Sequence, residues 1–182
     1  MITSDDIKKY ITTYGNNEII PFWKPYSKNK VTGIGQHVCC QWYHSIFKDD
    51  KGIVFNCTEQ YMMYKKAELF NDEYMMKKIL STSNPADMKK LGRLIRNFDN
   101  KIWDEHKIDI VYNGNLLKFS QNDDLKNWLL STKNKVLVEA SPYDKVWGIG
   151  ISEDSEYINI PEKWNGLNLL GLIIMLVRDK LS

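Results

Sequence analysis

Two carboxylates beside aromatic residues are the side chains of this sequence whose type and spacing favour catalysis. Glu59 begins a helical segment in N-C-T-E-Q-Y-M-M, and Asp144 lies in a turn three residues before Trp147. Such a set suits cleavage of a glycosidic bond, because one carboxylate can activate water while positive charge develops on the sugar ring. Each residue also has a purely structural interpretation. Glu59 can complement a helix dipole, and Asp144 can close a turn.

One face of the helix predicted at 58–70 combines charged and aromatic side chains. Its members are spaced i, i+4, i+7 and i+11: Glu59, Met63, Lys66 and Phe70. Lys65 points elsewhere, which leaves Lys66 as the lysine that shares a face with the glutamate. A mixed face of this kind favours a cleft, although a solvated lysine is the simpler interpretation.

Aromatic and basic residues elsewhere could complete a binding site. Trp103 or Trp147 can stack on a base or a nicotinamide-like ring, and Lys66, Arg93 and Lys118 can hold phosphate oxygens. Lys89, Arg93 and Arg96 fall on one predicted helix face, for which an ordinary solvated surface is the alternative.

The secondary-structure elements that must position these residues are mostly helices, with a few short strands. Helices are predicted over 4–14, 58–70, 72–80, 85–98, 100–121, 123–130 and 165–181, and strands over 19–23, 40–47, 52–56, 135–140 and 146–151. Thr58, Asn84 and either Asp99 or Asn100 are the expected caps of three helices. The fold class is therefore α+β, a single helix-rich domain over residues 1–182 with a small mixed or antiparallel sheet.

Composition limits the function classes. The 182 residues carry a formal net charge of +2, which argues against a strongly basic nucleic-acid binder but allows a local basic face. Cys39, Cys40 and Cys57 form no disulfide framework, and the chain shows no signal peptide and no apolar run long enough to span a bilayer. We therefore expect a cytoplasmic protein with no membrane association and no obligate protein partner.

Two further patterns are weak. Gly33-Ile34-Gly35 and Gly148-Ile149-Gly150 lack the third glycine of a dinucleotide-binding loop. His37, Cys39, Cys40 and His44 fit no standard zinc spacing. Neither a metal nor a cofactor is expected.

The sequence resembles the NADAR family, the NAD- and ADP-ribose-associated or YbiA-like domain, from about Gln41 to Leu181. The first sixteen or so residues and the lysine-rich loop at 24–35 have no clear counterpart. Residues 1–40 are expected to be an N-terminal extension that packs on this domain. The resemblance rests on six blocks: Q-W-Y-H-S-I-F (41–47), N-C-T-E-Q-Y-M-M-Y-K-K-A (56–67), L-G-R-L-I-R-N-F-D (91–99) with Trp103, L-K-F-S-Q-N (117–122), L-V-E-A-S-P-Y-D-K-V-W-G-I-G (137–150) and W-N-G-L-N-L-L-G (164–171).

The resemblance implies an N-glycosidase that cuts a bond between a ribose carbon and a nitrogen. It implies catalytic roles for Glu59, Asp144 and Lys66, without deciding which carboxylate acts on water. The residues expected to bind substrate are Trp103, Trp147, Arg93, Asn168, Gly148 and Lys118.

Family members are associated with two substrate classes. One is ADP-ribose linked to guanine bases in nucleic acid, which the Q-W-Y-H and E-Q-Y-M-M blocks favour here. The other is the set of phosphoribosylated pyrimidine intermediates of riboflavin synthesis. A non-catalytic module that binds NAD or ADP-ribose is the third interpretation, disfavoured because both carboxylates and the lysine are present.

Overall fold

The structure is a computed structural model that describes residues 18–27 and 33–182. The helix predicted at 4–14 lies outside the described residues, as does part of the lysine-rich loop. The chain folds into two compact units: a middle unit of Gln41–Asn122, and a terminal unit that combines the residues up to Cys40 with Asp123–Ser182. The prediction of one domain over the whole chain stays a prediction.

The middle unit is built around helix α1, Thr58–Leu69. Helices α2 (Glu73–Leu80), α3 (Pro85–Gly92) and α4 (Asn100–Ser120) all pack against it. Every residue from Thr58 to Tyr64 is buried, so the first two turns of α1 have no solvent-facing side.

Two of the three helix caps predicted in this unit are confirmed. The side chains of Asn84 and Asp99 accept hydrogen bonds from the backbone N–H groups of Ala86 and Ile102, which confirms both as caps. Thr58 is not a cap and is the first residue of α1. Its hydroxyl instead donates to the carbonyl of Gln41 at 3.1 Å.

The predicted third helix is too long, because α3 ends at Gly92. Asp72 explains the early end: its carboxylate accepts from the backbone N–H of Arg96 at 2.9 Å and from the guanidinium at 2.7 Å. These hydrogen bonds hold the pKa of Asp72 below its ordinary range. Arg96 is drawn away from a helical path, and Asn97 has a left-handed conformation with φ of 56°.

The predicted hairpin exists, but its strands are short. Strand β2 (Phe47–Lys48) pairs antiparallel with β3 (Val54–Phe55). The strand predicted from residue 40 is wrong up to residue 46, because other elements use that backbone. The carbonyl of Gln41 binds the start of α1, and the carbonyl of Ile46 accepts from the amide of Asn122.

The terminal unit contains a two-stranded parallel sheet. Strand β1 (Ile19–Phe22) pairs with β4 (Val136–Glu139), in the register Ile19 with Val136 through Phe22 with Glu139. Helix α5 (Asp123–Ser131) precedes β4, and the apolar helix α6 (Leu169–Leu181) packs on β4. No helix in the described part of the chain is long and apolar enough to cross a membrane.

The strand predicted at 146–151 is wrong. These residues are irregular, and carbonyls of residues 145–148 accept hydrogen bonds from the chain around the start of α6. Leu167 donates to Lys145, Asn168 to Gly148 and Leu170 to Trp147. The side-chain amide of Asn168 bonds both Glu139 N and Leu137 O of β4. Because this amide takes two hydrogen-bonding positions on β4, a further strand has no place there.

The close approach of α6 to β4 generates a stability prediction. A Cβ atom on Gly171 would lie 2.1 Å from the carbonyl O of Leu137 and 2.5 Å from Oδ1 of Asn168. Glycine to alanine inside a helix is ordinarily stabilising, but here the clash is with backbone. We expect Gly171→Ala to lower the free energy of unfolding by about 1–3 kcal/mol or more, measured by urea denaturation.

Gly35→Ala is the matched control, because its Cβ would meet only His37 at 3.4 Å, an ordinary contact. Equal stability of the Gly171→Ala protein and the unmodified chain would contradict this packing of α6 on β4.

Candidate functional site

Glu59 is a buried carboxylate in the first turn of α1, with 3% of its surface exposed. Its backbone N–H donates to the carbonyl of Gln41 at 3.0 Å. The N–H groups of a helix N-terminus carry partial positive charge, which complements the charge of a carboxylate. Complementing a helix dipole requires no burial, however, because an exposed glutamate does so equally well. The helix-dipole interpretation alone therefore does not account for the depth of Glu59, which follows from the burial of all residues from Thr58 to Tyr64.

Lys66 lies two turns further along α1 and is held on three sides. Its Nζ donates to the carbonyl of Gly92 at 2.9 Å and lies 4.0 Å from the ring centroid of Phe98 and 5.4 Å from that of Trp103. Burial lowers the pKa of Lys66, and the negative charge of Glu59 opposes this shift. Lysine and glutamate are therefore electrostatically coupled, as their shared helix face predicts.

Phe98 is a site residue that sequence reasoning missed. Phe98 is the last residue of the helix predicted at 85–98, but that helix ends at Gly92. Its ring packs edge-on against Phe70, with centroids 5.2 Å apart, and covers Lys66. The helix face that links Lys66 to Phe70 was the available signal, but only the irregular path of residues 93–99 brings Phe98 to it.

Arg93 follows α3 directly and is exposed, as is Lys89. The carbonyl of the preceding residue, Gly92, is the acceptor for Lys66, so Arg93 is one residue from the lysine's binding partner. Arg96 does not share a helix face with these residues and bonds Asp72 instead. The predicted three-residue basic face is thus replaced by an exposed basic patch at the end of α3: Lys89, Arg93 and Lys90, which pairs with Asp87 at 2.9 Å.

Lys118 is fully buried on α4, with its Nζ 5.5 Å from the ring centroid of Tyr43 and 5.3 Å from that of Phe119. Burial raises the pKa of the Cys57 thiol to about 11, while the charge of Lys118 opposes that rise. The ammonium therefore acts on the residue that precedes α1. A lysine at this depth supports an electrostatic role beside the start of α1, and its predicted phosphate contact stays a prediction.

Asp144 belongs to the terminal unit and forms the turn that its structural interpretation requires. Its Oδ1 accepts from the backbone N–H groups of Val146 at 2.9 Å and of Trp147 at 2.8 Å. Among the residues that the structure describes, Oδ2 accepts no hydrogen bond. The carboxylate is partly exposed, and Oδ1 is the oxygen that shapes the turn.

Gly148 and Asn168 fix the segment that carries Asp144 and Trp147. A Cβ on Gly148 would lie 2.8 Å from the carbonyl of Glu139 and 2.9 Å from that of Asp144, so only glycine fits. Asn168 is fully buried, has a left-handed φ of 54°, and bonds β4 through both polar atoms of its amide. These contacts support positioning roles for both residues, whose substrate-binding roles stay predictions.

The structure therefore groups the predicted residues within two sets. The middle unit carries Glu59, Lys66, Trp103, Arg93 and Lys118, and the terminal unit carries Asp144, Trp147, Gly148 and Asn168. Over residues 18–27 and 33–182, no three His, Cys, Asp or Glu side chains are placed to share a metal ion.

Comparison with known proteins agrees with the resemblance seen in the sequence. The NADAR domain profile matches residues 22–182. An N-glycosidase of Acanthamoeba polyphaga mimivirus is 47% identical over 164 residues, which cover 87% of this chain and 94% of that protein. A chloroplastic riboflavin biosynthesis protein of Zea mays is 33% identical over 111 residues, which cover 59% of this chain and 16% of that protein.

The fold has a solved counterpart. The NMR structure of the E. coli protein YbiA matches with a TM-score of 0.69 and 25% identity, covering 91% of this chain and 85% of that chain. This likeness confirms the helix-rich α+β class. Because the domain profile spans most of the sequence and the viral relative aligns over nearly its full length, this chain belongs to the NADAR family.

Proposed function

We propose that this chain hydrolyses the N-glycosyl bond between ribose C1 and a base nitrogen, and that its substrate is ADP-ribosylated guanine in nucleic acid. The enzyme class, a hydrolase of N-glycosyl bonds, is also that of the viral relative, which is named an N-glycosidase. The observation that carries the proposal is the pairing on one helix of the buried Glu59 with the partly exposed Lys66, whose ammonium lies over the rings of Phe98 and Trp103.

In the reaction, a water oxygen forms a bond to C1 while the bond from C1 to nitrogen breaks. The bonding electrons pass to the base nitrogen, which takes up a proton as it leaves. One carboxylate, Glu59 or Asp144, removes a proton from the water, and the other stabilises the cationic sugar or protonates the leaving nitrogen.

Lys66 and the two tryptophans bind the substrate, and Lys66 also stabilises charge in the transition state. The ammonium of Lys66 donates to a ribose hydroxyl or a phosphate oxygen and offsets negative charge that develops on the leaving base. Trp103 beside it offers a face for the base, and Trp147 is the corresponding aromatic residue of the terminal unit.

Charge favours a nucleic-acid substrate over a small pyrimidine. Lys89, Lys90 and Arg93 are exposed one to three residues from Gly92, whose carbonyl holds Lys66. Exposed basic residues this close in sequence to the binding partner of Lys66 suit a pyrophosphate or a phosphate backbone.

The second candidate is hydrolysis of phosphoribosylated pyrimidine intermediates of riboflavin synthesis. The name of the Zea mays relative favours it, although this chain matches only 16% of that protein. A ribose 5-phosphate unit is common to both substrate classes, so the Glu59 and Lys66 pair serves either.

Product analysis tests the proposal. The protein is incubated separately with an ADP-ribosylated guanine oligonucleotide, the riboflavin intermediates and NAD, and products are followed by mass spectrometry. We expect ADP-ribose to be released from the oligonucleotide, and expect Glu59→Gln to fold normally but lose activity by about 10²–10⁴-fold. Release of ribose 5-phosphate from the pyrimidine alone would instead support the second candidate, and binding without turnover would support a sensor.

Asp144 has a structural and a catalytic role that two variants separate. Asp144→Asn keeps an Oδ1 acceptor for Val146 and Trp147 but removes the charge, whereas Asp144→Ala removes both. We expect the asparagine variant to unfold like the unmodified chain in a thermal melt and yet to lose at least about 10²-fold in kcat/KM. Full activity of the asparagine variant would restrict Asp144 to turn formation.

The lowered pKa of Lys66 predicts an alkaline limit to activity. Because burial favours the neutral amine, Lys66 loses its proton below the ordinary value of 10.5, and kcat/KM should fall through that lowered pKa as pH rises. In Lys66→Arg the guanidinium stays charged, so we expect the alkaline limb to move to higher pH. The measurement is a pH profile of both proteins, and identical alkaline limbs would mean that Lys66 does not set this limit.

A further inference from the structure

The backbone of Gln41 contacts the first turn of α1, which carries Glu59. Its carbonyl oxygen accepts from the backbone N–H of Glu59 at 3.0 Å and from the hydroxyl of Thr58 at 3.1 Å. Both donors belong to the first turn of α1, so this carbonyl fixes Gln41 next to the position of Glu59 whatever its side chain does.

The side chain of Gln41 is oriented separately, by Asn115 on α4. Asn115 Nδ2 donates to Gln41 Oε1 at 3.1 Å and to the carbonyl of Val111 at 2.9 Å. Gln41 keeps 8% of its surface exposed. With Oε1 engaged, and with no acceptor for Nε2 among the described residues, the amino group is the part of this amide that can bind another molecule.

Packing alone does not explain Asn115. The residue is fully buried, and across the described residues its Oδ1 accepts no hydrogen bond. An unpaired buried acceptor costs about 1–3 kcal/mol, which an apolar residue of similar shape would avoid. The amide is therefore present at a cost in stability. One of its two donated hydrogen bonds anchors Asn115 to the carbonyl of Val111, and the other orients the Gln41 amide.

We propose that Gln41 is a further substrate-binding residue, whose Nε2–H donates to an oxygen of the ribosyl group bound beside Glu59. Asn115 is the positioning residue that decides which end of the Gln41 amide faces that ligand. The inference rests on the proposed function for the identity of the ligand. Ribose hydroxyls and phosphate oxygens all accept hydrogen bonds, so a fixed donor here recognises the ribosyl group of either substrate class.

The test measures binding of ADP-ribose and of ribose 5-phosphate to the full chain by titration calorimetry, together with kcat and KM. The variants are Gln41→Leu, Gln41→Glu and Asn115→Asp. Asn115→Asp places an oxygen against Oε1, which turns the Gln41 amide and directs its acceptor at the ligand. Asn113→Asp is the matched control, since Asn113 is an exposed residue of the same helix.

We expect all three variants to raise the Kd of the more tightly bound ribosyl compound and the KM by about tenfold or more, with kcat nearly unchanged. The control should keep the Kd and KM of the unmodified chain. Gln41→Glu is nearly isosteric, so it keeps the test open if Gln41→Leu fails to fold.

An unchanged Kd and KM in folded variants would overturn the inference, as would a loss confined to kcat, which would mean that the pair only positions Glu59. Failure of the unmodified chain to bind either ribosyl compound would overturn it as well. If the unmodified chain binds ADP-ribose without hydrolysing any substrate, and the variants weaken that binding, the inference stands and the proposed function fails.

Discussion

The burial of α1 on all sides over its first two turns is the constraint on which the middle unit depends. Residues Thr58 to Tyr64 contact protein in every direction, so α2, α3 and α4 must each pack against a different side of this helix. A helix in that position places any polar residue it carries inside the protein. Glu59 and Gln60 are both buried for this reason, and each needs specific polar surroundings. The Gln60 amide, for example, donates to the carbonyl of Ile79 in the last turn of α2 and to that of Thr82 just after it.

The same constraint explains why the site chemistry is electrostatic. Water is largely excluded around α1, so a charge there acts over a longer distance than it would on a surface. Burial lowers the pKa of Lys66 and raises that of Cys57, and in both cases a neighbouring charge on α1 or α4 opposes the shift. The charges of Glu59, Lys66 and Lys118 thus all act on groups in or next to α1. Such perturbed groups are typical of sites that move protons.

In the terminal unit, the main constraint is that an irregular segment must be held in one conformation. Residues 144–149 form no strand, so their backbone groups must bond elsewhere. The Asp144 carboxylate, the chain before α6 and the strand end at Glu139 supply those partners. Gly148 and Gly171 are needed because the neighbouring backbones approach too closely for any Cβ atom. A rigid segment of this kind presents Asp144 and Trp147 in a defined arrangement.

The sequence by itself determined most of the helices among the described residues, two of their caps, and the candidate site residues. Helical periodicity and capping depend on residues a few positions apart, so Asn84, Asp99 and the shared face of Glu59 and Lys66 are readable from the chain alone. The family and the enzyme class also followed, because ordered blocks of sequence carry them. The N-glycosidase substrate and the division of labour between the carboxylates did not follow.

Tertiary structure decided what depends on residues far apart in the chain. Asp72 ends α3 by binding Arg96, and this sends Phe98 onto Lys66. Asn168 occupies the backbone of β4 and so prevents the strand expected at 146–151. Gln41 and Asn115 meet across 74 positions of sequence, a separation over which no local pattern gives a signal. Local periodicity determines which face of a helix is apolar. Only the packed chain decides which polar groups must form hydrogen bonds with one another, because an unpaired polar group costs free energy only once it is buried.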